Sequence, residues 1–256
     1  MFSSVDNPVK KINLENTDLS KLYLYKFINI EYFLQWINNA HIRIDKIEKW
    51  DDVYELFLFK QEFEKGGNLI DVWSEALSFY GQSWTASRES NAMWRIYSPD
   101  NLSVRIKTTA QHLIDAIEKS ASTAGRATYV GKVKYQTKKQ IEADIQTYYS
   151  QNIFDEKVLA ESLFVKRENF SYENEFRIVQ KLPSIVEKEG KNVLAEIPQC
   201  LYIDASMSDF VLEVAFDSRL SDDMYNFFKS ALQLKLPNVR IQKSTLATIK
   251  KKRYKI

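Results

Sequence analysis

The sequence predicts an α+β fold: one domain with a mostly antiparallel or split mixed sheet flanked by helices. Segments of two-residue apolar period and segments of i, i+3, i+4, i+7 period alternate irregularly, which a repeating βαβ unit would not produce. The last third is mostly of strand type. Across 256 residues, six glycines and five prolines are scattered and mark no linker. The reading is therefore a single domain over residues 1–256, with an N-terminal extension at 1–20, a core at 22–246 and a basic tail at 247–256.

Taken in order, Leu22 to Phe27 is the first strand. A helix follows from Glu31 to Ala40, with Ile30, Phe33, Leu34 and Ile37 on one face. His41 to Ile44 alternates as a second strand, and Asp51 to Lys65 reads as a helix stopped by Gly66-Gly67. Phe79 to Ala86 is an aromatic strand, and a helix from Glu89 to Tyr97 ends before Pro99. Strand Leu102 to Lys107 leads to a helix with Ala110, Leu113, Ile114 and Ile117 on one face. Ala127 to Tyr135 alternates, and Ile141, Ile145 and Tyr148 mark a further helix. Strands follow at Glu173 to Leu182, Val193 to Ile197, Cys200 to Ile203 and Phe210 to Phe216. Ser221 caps a last helix with Met224, Phe227, Phe228, Ala231 and Leu232 on its apolar face.

Composition bounds the function. A chain of this length buries about 70–75% of its unfolded surface and needs no disulfide or metal to fold. The formal net charge of +2 dictates neither a nucleic-acid nor a membrane partner. Two basic stretches stand out, Arg126 to Lys139 and Lys250 to Lys255, and either could contact nucleic acid. No run approaches the roughly 20 apolar residues of a membrane span. With Cys200 as the one cysteine and no leader-like run, the reading is a cytoplasmic protein. His41 and His112 are the two histidines, and both read as structural or exposed, so no metal site is assigned. Neither a P-loop nor a G-x-G-x-x-G is present, and Glu189-Gly190-Lys191 matches the nuclease E-x-K only in a charged turn.

Three segments combine strand character with polar tips. They are Leu22 to Phe27; Ser83-Trp84-Thr85 with Glu89 to Tyr97 after it; and Phe170 to Arg177. In the third, a two-residue period puts Glu173, Glu175 and Arg177 on one strand face, with Asn174, Phe176 and Ile178 on the other. Two carboxylates at i, i+2 repel unless a cation or ligand compensates, which Arg177 could supply. The competing reading is a solvated face.

These segments resemble an uncharacterised family of bacterial and phage-related domains of unknown function. Its pattern is met here by Leu24-Tyr25-Lys26-Phe27, Ser83-Trp84-Thr85, Met93-Trp94-Arg95-Ile96-Tyr97 and Tyr172-Glu173-Asn174-Glu175-Phe176-Arg177. The resemblance runs from Leu24 to Leu246 and implies one domain. A toxin or phage-defence role rests on this resemblance alone.

More distantly, the order of a basic-residue strand, a Ser/Thr strand and an E-x-E strand is similar to ADP-ribosyltransferases. That resemblance implies NAD as substrate and ADP-ribosyl transfer to a macromolecular acceptor. It implies Lys26 as the residue that holds NAD, Ser83 and Thr85 in the nicotinamide pocket, Glu175 as the catalytic carboxylate and Glu173 as the acceptor-orienting one. Trp84, Trp94 and Tyr97 could sandwich nicotinamide or adenine or could serve as core aromatics, and Tyr25 and Arg177 complete the NAD-binding set. Lys26 departs from the usual Arg or His, giving a point charge instead of a fork, and Ser83-Trp84-Thr85 departs from Ser-Thr-Ser. The alternative is a non-enzymatic module that binds nucleic acid or a partner protein through the basic stretches. A metal-dependent nuclease is a further possibility.

Overall fold

A computed structural model of the chain describes residues 8–183, 185–188, 191–194 and 196–246. Short strand β1 (Lys10–Ile12) is followed by β2 (Tyr23–Asn29), α1 (Ile30–Asn39) and β3 (His41–Lys46). Then come β4 (Glu62–Lys65), β5 (Asn68–Asp71), α2 (Trp73–Ala76), β6 (Phe79–Thr85), α3 (Asn91–Tyr97), β7 (Ser103–Thr109) and α4 (Ala110–Lys119). The middle holds β8 (Ala127–Lys132), β9 (Lys134–Gln136), α5 (Lys138–Asp144), α6 (Glu156–Ser162), β10 (Val165–Arg167) and β11 (Glu175–Lys181). The remainder is β12 (Ile185–Lys188), β13 (Lys191–Leu194), β14 (Cys200–Asp204), α7 (Met207–Phe210), β15 (Glu213–Phe216), α8 (Asp222–Lys235) and β16 (Arg240–Lys243). Among the described residues no helix is long and apolar enough to cross a membrane.

Ten strands form one mixed sheet in the order β1-β8-β11-β6-β2-β7-β15-β16, with β3 branching from β6 and carrying β14. The pairs β1–β8 and β15–β16 are parallel and the others antiparallel. This is the α+β architecture that the irregular element order predicts. Each face carries its own apolar cluster. One joins Leu24, Phe33, Trp36, Trp84, Ile106, Leu113 and Phe176; the other joins Ile47, Phe59, Phe79, Tyr129, Leu159 and Val179.

The feature that positions the site is a fork. On the side of β6 away from β11, β2 pairs only at Tyr25–Thr85, and β3 pairs only at Asp45–Gly81 and Lys46–Tyr80. Gln82, Ser83 and Trp84 therefore have no strand partner on that side, and α1 bridges the two diverging prongs. Asn29 starts α1 by accepting a hydrogen bond from the Glu31 amide, and Ala40 ends it in the left-handed region. The polar edge of β6 thus faces a cleft.

Several expectations are corrected. Asp51 to Lys65 is not a helix: it turns, forms one short 3₁₀ turn at Leu58–Lys60 and enters β4. Its Leu56, Leu58 and Phe59 are all buried, which a one-sided helix cannot arrange. Gly66-Gly67 lies at positive φ in both residues and closes the β4–β5 hairpin instead of stopping a helix. The Ala127 to Tyr135 segment breaks at Val133, whose amide bonds to the Glu175 carbonyl, so β9 leaves the sheet to pair with β10. The helix at Ile141 passes into a π-turn over Ile145–Tyr149. The strand read from Val193 lies at Lys191–Leu194, and the one read from Phe210 begins at Glu213, after α7. The N-terminal extension contributes β1 to the sheet, with Val9, Ile12 and Leu14 buried. The nuclease-like Glu189-Gly190 and the tail Lys250 to Lys255 lie outside the described residues.

Gly81 has one specific task at the fork. A Cβ there would collide with the Trp50 ring, which lies flat under the Arg177 guanidinium at 4.4 Å. Gly81→Ala should lower stability by about 1–3 kcal/mol, the cost of overpacking. A denaturation midpoint equal to wild type would show that Trp50 moves freely.

Candidate active site

The fork holds a cavity of about 690 Å³, within the usual range for small-molecule sites. Tyr25, Lys26, Ser83, Trp84, Thr85, Tyr97, Glu173 and Glu175 all line it, although they come from four separate segments. Two of the named residues do not. Trp94 is buried behind Phe27, with which it makes an edge-on ring contact, and its indole nitrogen donates to Glu89. Arg177 is fully buried beneath Glu175. Trp84 lines the wall, but it is almost wholly buried, packed in the core against Trp36, so its ring leaves no face open for stacking. Tyr97, by contrast, is exposed at the mouth.

Lys26 points across the fork and donates to the Ser83 carbonyl at 3.1 Å, supplying the contact that a neighbouring strand would otherwise make. Among the described residues that carbonyl is its one hydrogen-bond partner. Burial pushes its ammonium down to about 8, against the pull of Asp45 and Glu175. Ser83 Oγ in turn donates to Glu175 Oε2 at 3.1 Å, so Lys26, Ser83 and Glu175 form a chain across β6.

Glu175 is the most firmly held group. Its Oε1 accepts from Lys166 Nζ at 2.7 Å, and its Oε2 accepts from Arg177 Nε at 2.6 Å. Its amide donates to the Tyr135 hydroxyl at 2.8 Å. Arg177 also donates to the Leu163 carbonyl at 2.6 Å and to Glu55 Oε1 at 2.8 Å. Burial works against the charge on Glu175, but Arg177 and Lys166 prevail and hold its carboxyl well below the ordinary range.

Glu173 behaves differently. It is not on the strand: a 3₁₀ turn over Glu168–Glu173 ends at Asn174, which sits at φ 45°, and β11 begins only at Glu175. The left-handed residue swings Glu173 round, so that both carboxylates converge on Lys166, with Glu173 Oε2 at 2.6 Å. Asn174 is exposed, not core-facing. Burial and the hydrogen bond shared with Glu175 push Glu173 up to about 7. Of the two carboxyls, one is fixed as an anion and the other exchanges a proton near neutrality.

Sequence reasoning missed Lys166, Glu55 and Tyr135. Lys166 also lies 2.9 Å from Glu55, so one ammonium serves three carboxylates. Fully ionised, Glu55, Glu173 and Glu175 outnumber Lys166 and Arg177 by one charge. No motif announces Lys166; the parallel β9–β10 pair and the turn after it bring it there. The basic stretch Arg126 to Lys139 is not one surface patch: Arg126 donates to the Tyr202 carbonyl, Lys132 to Thr17, and Lys138 lies over the Tyr54 ring.

Removing Lys166 should therefore be costly. Lys166→Met leaves three carboxylates facing one arginine and should destabilise by about 3–5 kcal/mol at pH 8. The sign with pH follows from Glu173. Its folded pKa exceeds its unfolded value, so its contribution is full below about 4.5 and is lost as pH rises through about 7. The variant's deficit should accordingly shrink towards pH 5, where protonation relieves the repulsion. Equal deficits at both pH values in urea unfolding would contradict the charge count.

A search of the curated proteins returned no match. Among solved structures, the chain shows a likeness to DarT of Thermus sp. 2.9 in complex with NAD+, at 9% identity and a TM-score of 0.36, covering 87% of this chain and 95% of that one. Residues 93–178, which contain the M-W-x-x-Y and E-x-E-x-R segments, match the family described as "Protein of unknown function (DUF2971)".

Proposed function

We propose that the fork binds NAD as a substrate and that the protein transfers its ADP-ribosyl group to a macromolecular acceptor. The observation that carries this reading is the polarity of the cavity. At one end stand Glu173 and Glu175. At the other, Arg43, Lys46 and Lys49, from β3 and the turn after it, line the cavity; Asp45 pairs with Arg43 and Lys49 and Glu48 with Lys46, which leaves one positive charge in excess. Lys26 stands between the ends with donors to spare. A ligand that suits this field carries a cation at one end and anionic groups towards the other. A nicotinamide dinucleotide has that distribution, with a pyridinium at one terminus and a diphosphate in its middle.

Each residue has a chemical role in the reading. Cleavage breaks the ribose C1′–nitrogen bond, the electron pair leaves with nicotinamide, and positive charge develops on the sugar. Glu175, an anion that cannot turn away from its Ser83, Lys166 and Arg177 contacts, stabilises that charge without reorganising. Lys26 holds the dinucleotide as a point charge. The acceptor's nucleophile then bonds to C1′, and its proton passes to Glu173, the carboxyl poised near neutrality at the mouth. A toxin or phage-defence setting belongs to the same reading through the family resemblance.

Nicotinamide release and acceptor labelling test these roles. Glu175→Gln leaves Arg177 and Lys166 matched by Glu55 and Glu173, so the variant should still fold, and it should lower NAD turnover about a hundred- to a thousandfold; a folded variant that turns over normally would move the chemistry elsewhere. With pH the wild-type rate should form a bell. It rises through about 7 as Glu173 loses its proton and falls above about 8 as Lys26 loses its charge. Glu173→Gln should remove the rising limb and impair transfer more than cleavage. A flat profile in the wild type would remove Glu173 as the base.

A further inference from the structure

The last helix buries a different face from the one its sequence suggests. Leu232 is fully buried, Tyr225 and Phe228 pack on Phe216, and Leu236 follows just beyond the helix end. Met224 at 41% exposure, Phe227 at 67% and Leu234 at 87% are left outside, and Ala231 is exposed between them. Their spacing of three, four and three residues makes one continuous stripe along α8. A phenylalanine and a leucine this exposed, in line on a 14-residue helix, are unlike singly scattered surface residues.

From the order of these residues we infer that α8 pairs antiparallel with α8 of a second copy of this chain. Self-complementarity is the argument. A twofold axis through the middle of the helix, at Lys229, sets Met224 opposite the partner's Leu234 and Phe227 opposite the partner's Ala231. The largest side chain thus meets the smallest, as close packing of two helices requires. The charges agree. Asp222 is bonded to Lys243 of its own chain, but Asp223 is exposed in the first turn and Lys235 in the last, and the same axis sets Asp223 opposite the partner's Lys235. A parallel mate would set Phe227 against Phe227 and acid against acid. This inference is independent of the chemistry proposed for the fork.

Sedimentation velocity of the full chain from about 5 to about 200 µM should show a monomer–dimer equilibrium. Phe227→Asp, on an exposed position, should keep the wild-type melting temperature and weaken dimerisation at least about tenfold. Orientation is read by cross-linking in a Cys200→Ser background. A mixture of the Phe227→Cys and Ala231→Cys chains should form an intermolecular disulfide more readily than either alone. A monomer throughout the range, or a dimer unaffected by Phe227→Asp, would overturn the inference. Cross-linking of Phe227→Cys mainly with itself would overturn the antiparallel arrangement. A chain ending at Leu246 that dimerises while the full chain does not would assign the stripe to residues 247–256 instead.

Discussion

The site depends on the buried contact between Arg177 and Glu175. The guanidinium lies on β11 beneath the cavity floor and bonds at once to Glu175, Glu55 and the Leu163 carbonyl, with Trp50 stacked on its face. An arginine this deep is costly without full compensation. Compensating it ties β11, the α6–β10 connection and the segment between β3 and β4 to one point. Lys166 repeats the arrangement one layer out. The carboxylate that lines the cavity is thus the visible end of a charge network, and its orientation is set by groups a ligand would never touch.

The second constraint is the fork itself. An unpaired run in a central strand exposes backbone groups that need partners. The protein meets that need with a side chain, since Lys26 bonds to the Ser83 carbonyl where a strand would have lain. One residue therefore serves both the sheet and the cavity. A cationic side chain on the first prong and hydroxyls on the floor are what this gap requires, whatever ligand enters it. Charge then varies along the cavity because each prong contributes its own residues.

How much of this was legible depends on the range of the interaction. The strands at Tyr23, Phe79 and Ser103 and the helices at Ile30 and Ala110 follow from local period, and they fall where the sequence places them. Lys26, Ser83, Thr85, Glu173 and Glu175 were readable as a set because each is a polar residue in a short segment that otherwise reads as an apolar strand, although Glu173 proves to lie in the turn before β11. What failed needed knowledge of a distant partner. Asp51 to Lys65 has helical composition, but its acids are spent on partners elsewhere, Asp52 on Arg167 and Glu55 on Arg177. Glu173 and Glu175 looked like neighbours on one strand face. The left-handed Asn174 turns Glu173 off the strand and away from Arg177, which bonds to Glu175, so burial and the shared hydrogen bond raise Glu173 while Arg177 holds Glu175 low. Trp94 and Tyr97 share a motif and both rings touch Phe27, but Trp94 packs edge-on in the core while Tyr97, the last residue of α3, stacks on Phe27 at the surface.

The central claim is that a dinucleotide lies along the charge gradient of the fork, with its pyridinium ribose at Glu175. A crystal structure of the Glu175→Gln variant with NAD tests this most directly. The account predicts the nicotinamide ribose beside residue 175 and Ser83, and the diphosphate towards Arg43, Lys46 and Lys49 on the β3 prong. An empty fork at saturating NAD, or a dinucleotide bound in reverse with its adenine end at residue 175, would contradict it.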